Sequence, residues 1–133
     1  MTYVLDTTTL VDFFRGQGRV AERLLARSPS ELAIPAVVVF ELEAGIARST
    51  DPARRRGQFD RLLRVVTVLS FGVAEARSAA ELRARLEQLG APIGPMDTWI
   101  AGTALAHGGV LVTRNVREFG RIPGLIVEDW FGP

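Results

Sequence analysis

Short apolar runs with strand-like spacing alternate along this chain with longer runs whose apolar positions repeat about every 3.6 residues. About five runs are short and rich in β-branched residues, which predicts strands. These predicted strands are 2–5, 31–34, 65–69, 110–113 and 125–128. The helical spacing predicts the helices 7–15, 20–26, 36–47, 52–63, 72–89 and 96–107, with a short helical turn over 116–119. The alternation predicts an α/β fold with a mainly parallel central sheet, helices on both faces and right-handed crossovers.

The helix over 96–107 is apolar or small on nearly every side, which is typical of a helix buried all round. Its only carboxylate is Asp97, in the first turn. A buried carboxylate is costly unless it is hydrogen-bonded, paired or bound to a cation, although the helix N-terminus favours an anion. Asp97 is therefore either a first-turn acid or part of a site.

Trp130 and Phe131 close the chain, where we expect them near the surface.

Length and composition predict one domain over residues 1–133, since 47% of the residues are hydrophobic and disorder is thereby disfavoured. We find no run long and apolar enough to span a membrane and no targeting segment, so we expect the protein to begin at Met1 and to stay in the cytoplasm. The chain has no cysteine and one histidine. Any metal would be held mainly by oxygen ligands, which favours Mg²⁺ or Mn²⁺ over Zn²⁺.

Several acids occupy positions that could converge on one site. Asp6 follows the first predicted strand, at the edge of an α/β sheet where ligands bind. Glu41 and Glu43 interrupt the apolar helix over 36–47 on different faces, and periodicity alone does not decide which of them points inward. Carboxylates that meet Asp97 in one cleft would raise each other's pKa, and a divalent cation would relieve their repulsion. The spacing thus favours a metal site, while carboxylates that only cap helices or face water are the alternative.

Two further polar residues follow the fourth predicted strand. Asn115 lies just after that strand, and Glu118 lies one helical turn later. Because loops after parallel strands gather at one edge of a sheet, Asn115 is expected close to Asp6.

Four blocks of the sequence resemble, in order, the blocks of PIN-domain proteins. They are Tyr3-Val4-Leu5-Asp6-Thr7 with the residues to 12, the segment 34–45 with its Glu41-Leu42 pair before Gly45, the segment 97–104, and the segment 111–130. The last block is similar to that of the VapC-type toxins. Each block alone is weak, but four at these spacings over nearly the whole chain are specific.

The resemblance implies a PIN fold and a Mg²⁺- or Mn²⁺-dependent ribonuclease that acts as the toxin of a toxin–antitoxin pair. It places the family's metal-binding acids at Asp6 and Asp97 and its third acid at Glu41, as a metal ligand through water or a general base. The fourth acidic position falls at Asn115, an amide that adds no negative charge. Glu118 could compensate, although we expect a surface position for it.

The resemblance also implies supporting residues and partners. Thr7 and Thr113 would orient the acids through their hydroxyls, and Arg114 would meet a phosphate. The partners would be RNA, a small VapB-like antitoxin and a second copy of the chain, in a homodimer or a toxin–antitoxin hetero-oligomer. The antitoxin needs an apolar groove near the site, for which 13–14 and 37–40 are candidates alongside their role as core.

Two alternatives stay open at the level of sequence. A phosphatase with Asp6 as nucleophile normally needs a second acid two residues later and a lysine, but position 8 is Thr8 and the chain has no lysine. A catalytically weak PIN domain that binds RNA or a partner without cutting is favoured only by the amide at Asn115.

Overall fold

The computed structural model describes all 133 residues. Its strands are β1 (Tyr3–Leu5), β2 (Leu32–Pro35), β3 (Thr67–Leu69), β4 (Val110–Val112) and β5 (Ile126–Glu128). Its helices are α1 (Thr7–Arg15), α2 (Val20–Leu25), α3 (Ala36–Ala47), α4 (Pro52–Leu63), α5 (Val73–Gln88), α6 (Pro95–Ala106) and α7 (Val116–Phe119), with a 3₁₀ turn at Pro29–Glu31. Every predicted element is present, and four of the five strands are one or two residues shorter than predicted.

The five strands form one sheet in the order β3-β2-β1-β4-β5, and all neighbouring strands are parallel. Val4 in β1 lies opposite Ala33 of β2 on one side and Leu111 of β4 on the other. The α/β class and the parallel sheet predicted from the sequence are confirmed.

The three central strands are buried on both faces of the sheet. Successive side chains of a strand point to opposite faces, and Val4, Leu5, Leu111 and Val112 are all fully buried. Helices must therefore cover both sides, which is why these strands read as continuous apolar runs without polar alternation.

The strand order creates a crevice at the carboxyl ends of β1 and β4. The chain runs from β1 to β2 and β3 on one side, and returns later to place β4 and β5 on the other side of β1. Ligands of open α/β sheets bind where the order reverses in this way. Asp6 follows β1 directly, and its backbone N–H donates to the carbonyl of Val112 at 3.2 Å.

Small residues let α6 lie very close to α5. A Cβ atom at Gly102 would sit 2.5 Å from the Cα atom of Ala79, so only glycine fits at this crossing. The Ser78 hydroxyl donates to the Gly102 carbonyl at 2.7 Å. This close contact explains why the helix over 96–107 is small and apolar on nearly every side.

The end of the chain differs from its expectation, because Trp130 is buried and only 2% exposed. Its ring centroid lies 5.3 Å from that of Tyr3, and the Arg27 guanidinium stacks over it at 4.3 Å. The indole N–H donates to Glu128 at 2.9 Å. The prediction of a surface position for Trp130 was wrong, since the tryptophan packs against β1 after the last strand.

No helix in the structure combines the length and apolar character that crossing a membrane requires.

Candidate active site

Asp6 stands where β1 passes into α1, and it caps that helix. Its Oδ1 accepts a hydrogen bond from the backbone N–H of Thr9 at 2.9 Å, and the residue is 5% exposed. Burial raises the pKa of the Asp6 carboxyl, while hydrogen bonds from Thr113 and Thr9 oppose that rise. The carboxylate is thus held in one orientation by donors from β1–α1 and from the segment after β4.

Asp97 lies in the first turn of α6, and the pKa of its carboxyl is raised well above the ordinary value. Its pKa is raised to about 6 by burial, by a hydrogen bond with Glu118, and by the negative charges of Glu118, Glu41 and Asp6. Two carboxyl groups can share a hydrogen bond only if one of them carries a proton. The structure therefore brings Asp97 into a group of four acids that come from β1, α3, α6 and α7.

Glu41 is half-buried on α3 and reaches this group from the side of α1. The Thr7 hydroxyl donates to its Oε1 at 2.7 Å. Its charge raises the pKa of both Asp6 and Asp97. Glu43 points elsewhere and forms an ion pair with Arg56 of α4 at 2.8 Å. The structure thus gives the two glutamates of α3 different surroundings, and only Glu41 faces the acids.

Glu118 was expected at a surface position, and the residue is partly exposed on α7. Its side chain also lies close enough to Asp97 for a hydrogen bond and its negative charge to raise the pKa of that carboxyl. One short turn of helix after β4 suffices to bring it to the first turn of α6. The available signal was its position one helical turn beyond Asn115, on the segment that leaves the carboxyl end of β4.

The turn after β4 carries the three remaining predicted residues. The Thr113 hydroxyl accepts the backbone N–H of Asn115 at 3.0 Å and also hydrogen-bonds Asp6. The side chain of Asn115 makes no hydrogen bond within the protein, and the residue is exposed. The structure therefore links Thr113 directly to the acids and leaves the Asn115 amide free.

Arg114 has partners that the sequence did not indicate. Its guanidinium lies 3.7 Å from the centroid of the Phe131 ring and 3.4 Å from the Asp12 carboxylate. The Asp12 side chain is 4% exposed, so this buried acid depends on Arg114 for its compensating charge. A signal for Asp12 was present, because it is the only acid in the apolar run Leu10-Val11-Asp12-Phe13-Phe14.

The four acids concentrate negative charge at one place but do not form a closed set of metal ligands. The charge of Glu41 raises the pKa of Asp6, and Glu118, Glu41 and Asp6 raise that of Asp97, yet no three acidic or histidine side chains are grouped closely enough to form a complete set of metal ligands. Such an open group suits Mg²⁺, which usually takes one or two carboxylates and keeps several waters.

A comparison with family models matches residues 3–125 to the PIN domain. The chain belongs to the PIN-domain family. This PIN domain is 32% identical over 130 residues to the tRNA(fMet)-specific endonuclease VapC of Salmonella typhimurium, with 98% of each chain covered. It is 37% identical over 107 residues to ribonuclease VapC2 of Rickettsia felis, with 80% of this chain and 79% of the relative covered.

Solved structures match the PIN domain over almost its whole length. VapBC2 from Rickettsia felis, bound to a DNA fragment from the promoter, superposes with a TM-score of 0.87 at 34% identity, covering 98% of this chain and 99% of the other. DNA-bound VapBC from Salmonella typhimurium gives a TM-score of 0.88 at 33% identity, with 98% of both chains covered. The family resemblance seen in the sequence is confirmed.

Proposed function

We propose that this PIN domain is a divalent-metal-dependent endoribonuclease that acts as the toxin of a VapBC-like toxin–antitoxin pair. The observation that carries the proposal is the convergence of Asp6, Glu41, Asp97 and Glu118 at the carboxyl edge of the sheet. The relatives named as a VapC endonuclease and a VapC ribonuclease match 98% and 80% of the chain, and they support the same reaction class.

The chemistry of the donor set fits Mg²⁺ or Mn²⁺. Asp6 and Asp97 would hold the ion, with Glu41 and Glu118 beside them, and all of these donors are the hard oxygens that such cations prefer. The pKa of Asp97 is raised first by burial and then by the negative charges of Glu118, Glu41 and Asp6, and a bound cation would favour the ionised carboxylate against both causes. When bound, the ion would act as a Lewis acid and offset the charge of the phosphodiester.

Each side chain then has a defined task. Asp6 is held rigidly by Thr9 and Thr113, as a ligand must be if the site is to be preorganised. Glu41 is oriented by the Thr7 hydroxyl at 2.7 Å and would accept the proton of the attacking water as general base.

The remaining predicted residues take supporting roles in the proposal. Thr113 fixes the orientation of Asp6, and the free amide of Asn115 would hydrogen-bond substrate or water at the rim of the site. Glu118 takes the place of the fourth acid. Arg114 supports the turn that carries Thr113, because its guanidinium is engaged by Asp12 and Phe131.

The proposed partners follow from the related complexes. The matched structures are VapBC assemblies, so we infer a small antitoxin that binds this chain in a hetero-oligomer and blocks it. Such a toxin would act in the cytoplasm, where its RNA substrates are. The homodimer predicted from the sequence is tested by light scattering of the purified chain alone and of the complex.

Cleavage of single-stranded RNA tests the proposal directly. The purified protein should cut RNA in millimolar Mg²⁺ or Mn²⁺ and stop when EDTA is added. Asp6→Asn should abolish cleavage, and Glu41→Gln should slow it by about 10²–10⁴-fold, as expected for loss of a general base. Asp60→Asn is the matched control, because Asp60 is an exposed acid on α4 outside the cluster and its loss should leave the rate unchanged. Cleavage that continues in EDTA or in Asp6→Asn would overturn the metal-dependent mechanism.

A further inference from the structure

A groove between α1, α3 and α4 leads directly out of the acid cluster. It encloses about 340 Å³, and Thr7 and Glu41 are part of its wall. Apolar side chains such as Phe14 and Ile46 form another part of that wall. Whatever occupies this groove therefore contacts Glu41, one of the proposed catalytic acids.

Three arginines line the same groove, and none of them has a carboxylate partner. Arg15 ends α1, Arg48 follows α3, and Arg55 lies on α4. The ion pairs of the structure involve other basic residues. Of the three guanidinium groups, only that of Arg55 makes a hydrogen bond within the protein, to Gln58 at 3.2 Å. In a chain of net charge +1, three uncompensated guanidinium groups around one groove mark a local site for anions.

The charge of the groove complements that of the acid cluster. A polyanion approaching four carboxylates is repelled, and a single bound divalent cation offsets only part of that charge. Guanidinium groups are planar forks that match phosphate oxygens. A cleft of about 560 Å³ between α5 and α6 offers no such attraction, because its Arg83 is paired with Glu87 at 2.9 Å.

We propose that the groove between α1, α3 and α4 binds the single-stranded RNA next to the scissile phosphodiester, with Arg15, Arg48 and Arg55 contacting successive phosphates. This inference rests on the proposed ribonuclease function and names the path of its substrate. The apolar part of the wall, with the Phe14 ring, offers a surface on which a base can stack.

The salt dependence of RNA binding tests the assignment without relying on cleavage. Each phosphate contact to a single strand contributes about 0.7 to the slope of log K against log salt. We would measure fluorescence anisotropy of a labelled, mixed-sequence single-stranded RNA in monovalent salt, with Asp97→Asn as a common background that does not cut. The triple variant Arg15→Ala, Arg48→Ala, Arg55→Ala should lower the magnitude of the slope by about 2. Arg15→Ala or Arg48→Ala alone, each at an exposed position, should lower it by about 0.7.

A charge-matched control separates a local contact from a general loss of positive charge. Arg64→Ala, Arg77→Ala, Arg85→Ala removes the same net charge from exposed positions outside the groove and should leave the slope nearly unchanged. Equal slopes for the two triple variants would overturn the groove assignment. This is also the result expected if an antitoxin segment, and not RNA, occupies the groove. If the wild type still cuts RNA with metal, the ribonuclease function survives that result. Absence of both RNA cleavage by the wild type and RNA binding would overturn both proposals.

Discussion

Replacing Asp97 by asparagine removes one negative charge from the acid cluster and keeps the shape of the side chain. The amide can still donate a hydrogen bond to Glu118, so the contact with α7 is retained while the repulsion falls. We therefore expect Asp97→Asn to be more stable than the wild type when no divalent cation is present.

The magnitude follows from the raised pKa of Asp97. Its value moves from the ordinary 3.8 to about 6, and each tenfold change in an ionisation constant corresponds to about 1.4 kcal/mol. Ionising the group in the folded protein thus costs about 3 kcal/mol relative to the unfolded chain. Because the residue is only half-buried and the cluster can relax, we expect asparagine to recover about 1–2 kcal/mol, or about 4–8 °C in Tm.

The pH dependence has a definite sign. The folded protein holds the Asp97 proton more tightly than the unfolded chain, so the destabilisation is absent below pH 3.8, grows between pH 3.8 and about 6, and is complete above that range. The Tm difference between Asp97→Asn and the wild type should therefore be full at about pH 7.5 and should vanish near about pH 4.

Thermal unfolding followed by circular dichroism in EDTA measures this difference, with Asp60→Asn as the control for loss of a surface acid. In millimolar Mn²⁺ the order should reverse, since the wild type binds the ion more tightly and gains more stability from it. A variant no more stable than the wild type at about pH 7.5, or a difference that persists unchanged at about pH 4, would refute the reasoning that burial and the neighbouring acids make ionised Asp97 costly.

Three other substitutions test the packing and charge contacts around the site. Gly102→Ala should lower the free energy of unfolding in a urea titration by about 1–3 kcal/mol, because its methyl group would overlap the backbone of α5. Gly57→Ala in α4, where there is room for a Cβ atom, is the control and should slightly raise that free energy. Glu75→Gln should lower Tm at neutral pH, because the backbone N–H donors at the start of α5 and the His107 side chain lower the pKa of the Glu75 carboxyl. The Tm difference between this variant and the wild type should disappear as the pH falls below about 4.5. Arg114→Ala should lower the free energy of unfolding by about 1–3 kcal/mol, because it leaves the buried Asp12 carboxylate unpaired. Adding Asp12→Asn to that variant should restore part of the loss. Additive effects of the two substitutions in a double-mutant cycle would contradict the pairing.

The fold class and the order of the elements could be predicted from the sequence because their signals are local. Apolar runs and helical spacing are properties of neighbouring residues, so the alternating strands and helices and the parallel sheet followed from them. The positions of Asp6 at the end of a strand and Asp97 in a first helical turn were likewise visible, since each depends only on the adjacent element.

Which acids meet could be decided only by the tertiary structure. Glu41 and Glu43 are two residues apart, yet one faces Thr7 and the acids while the other pairs with Arg56 of α4. Glu118, which is partly exposed on α7, lies close enough to Asp97 of α6 to raise the pKa of that carboxyl. These outcomes depend on how helices far apart in the sequence are placed around the sheet.

The same reason explains the contacts that the sequence did not indicate. Arg114 and Asp12 are 102 residues apart in the chain. Trp130 is buried because the chain after β5, the strand next to β4, leads it onto Tyr3 of β1. A local pattern reports the preference of a segment for helix or strand. Whether a charged or aromatic side chain finds a partner is settled by residues from other segments, and only the folded chain brings those residues together.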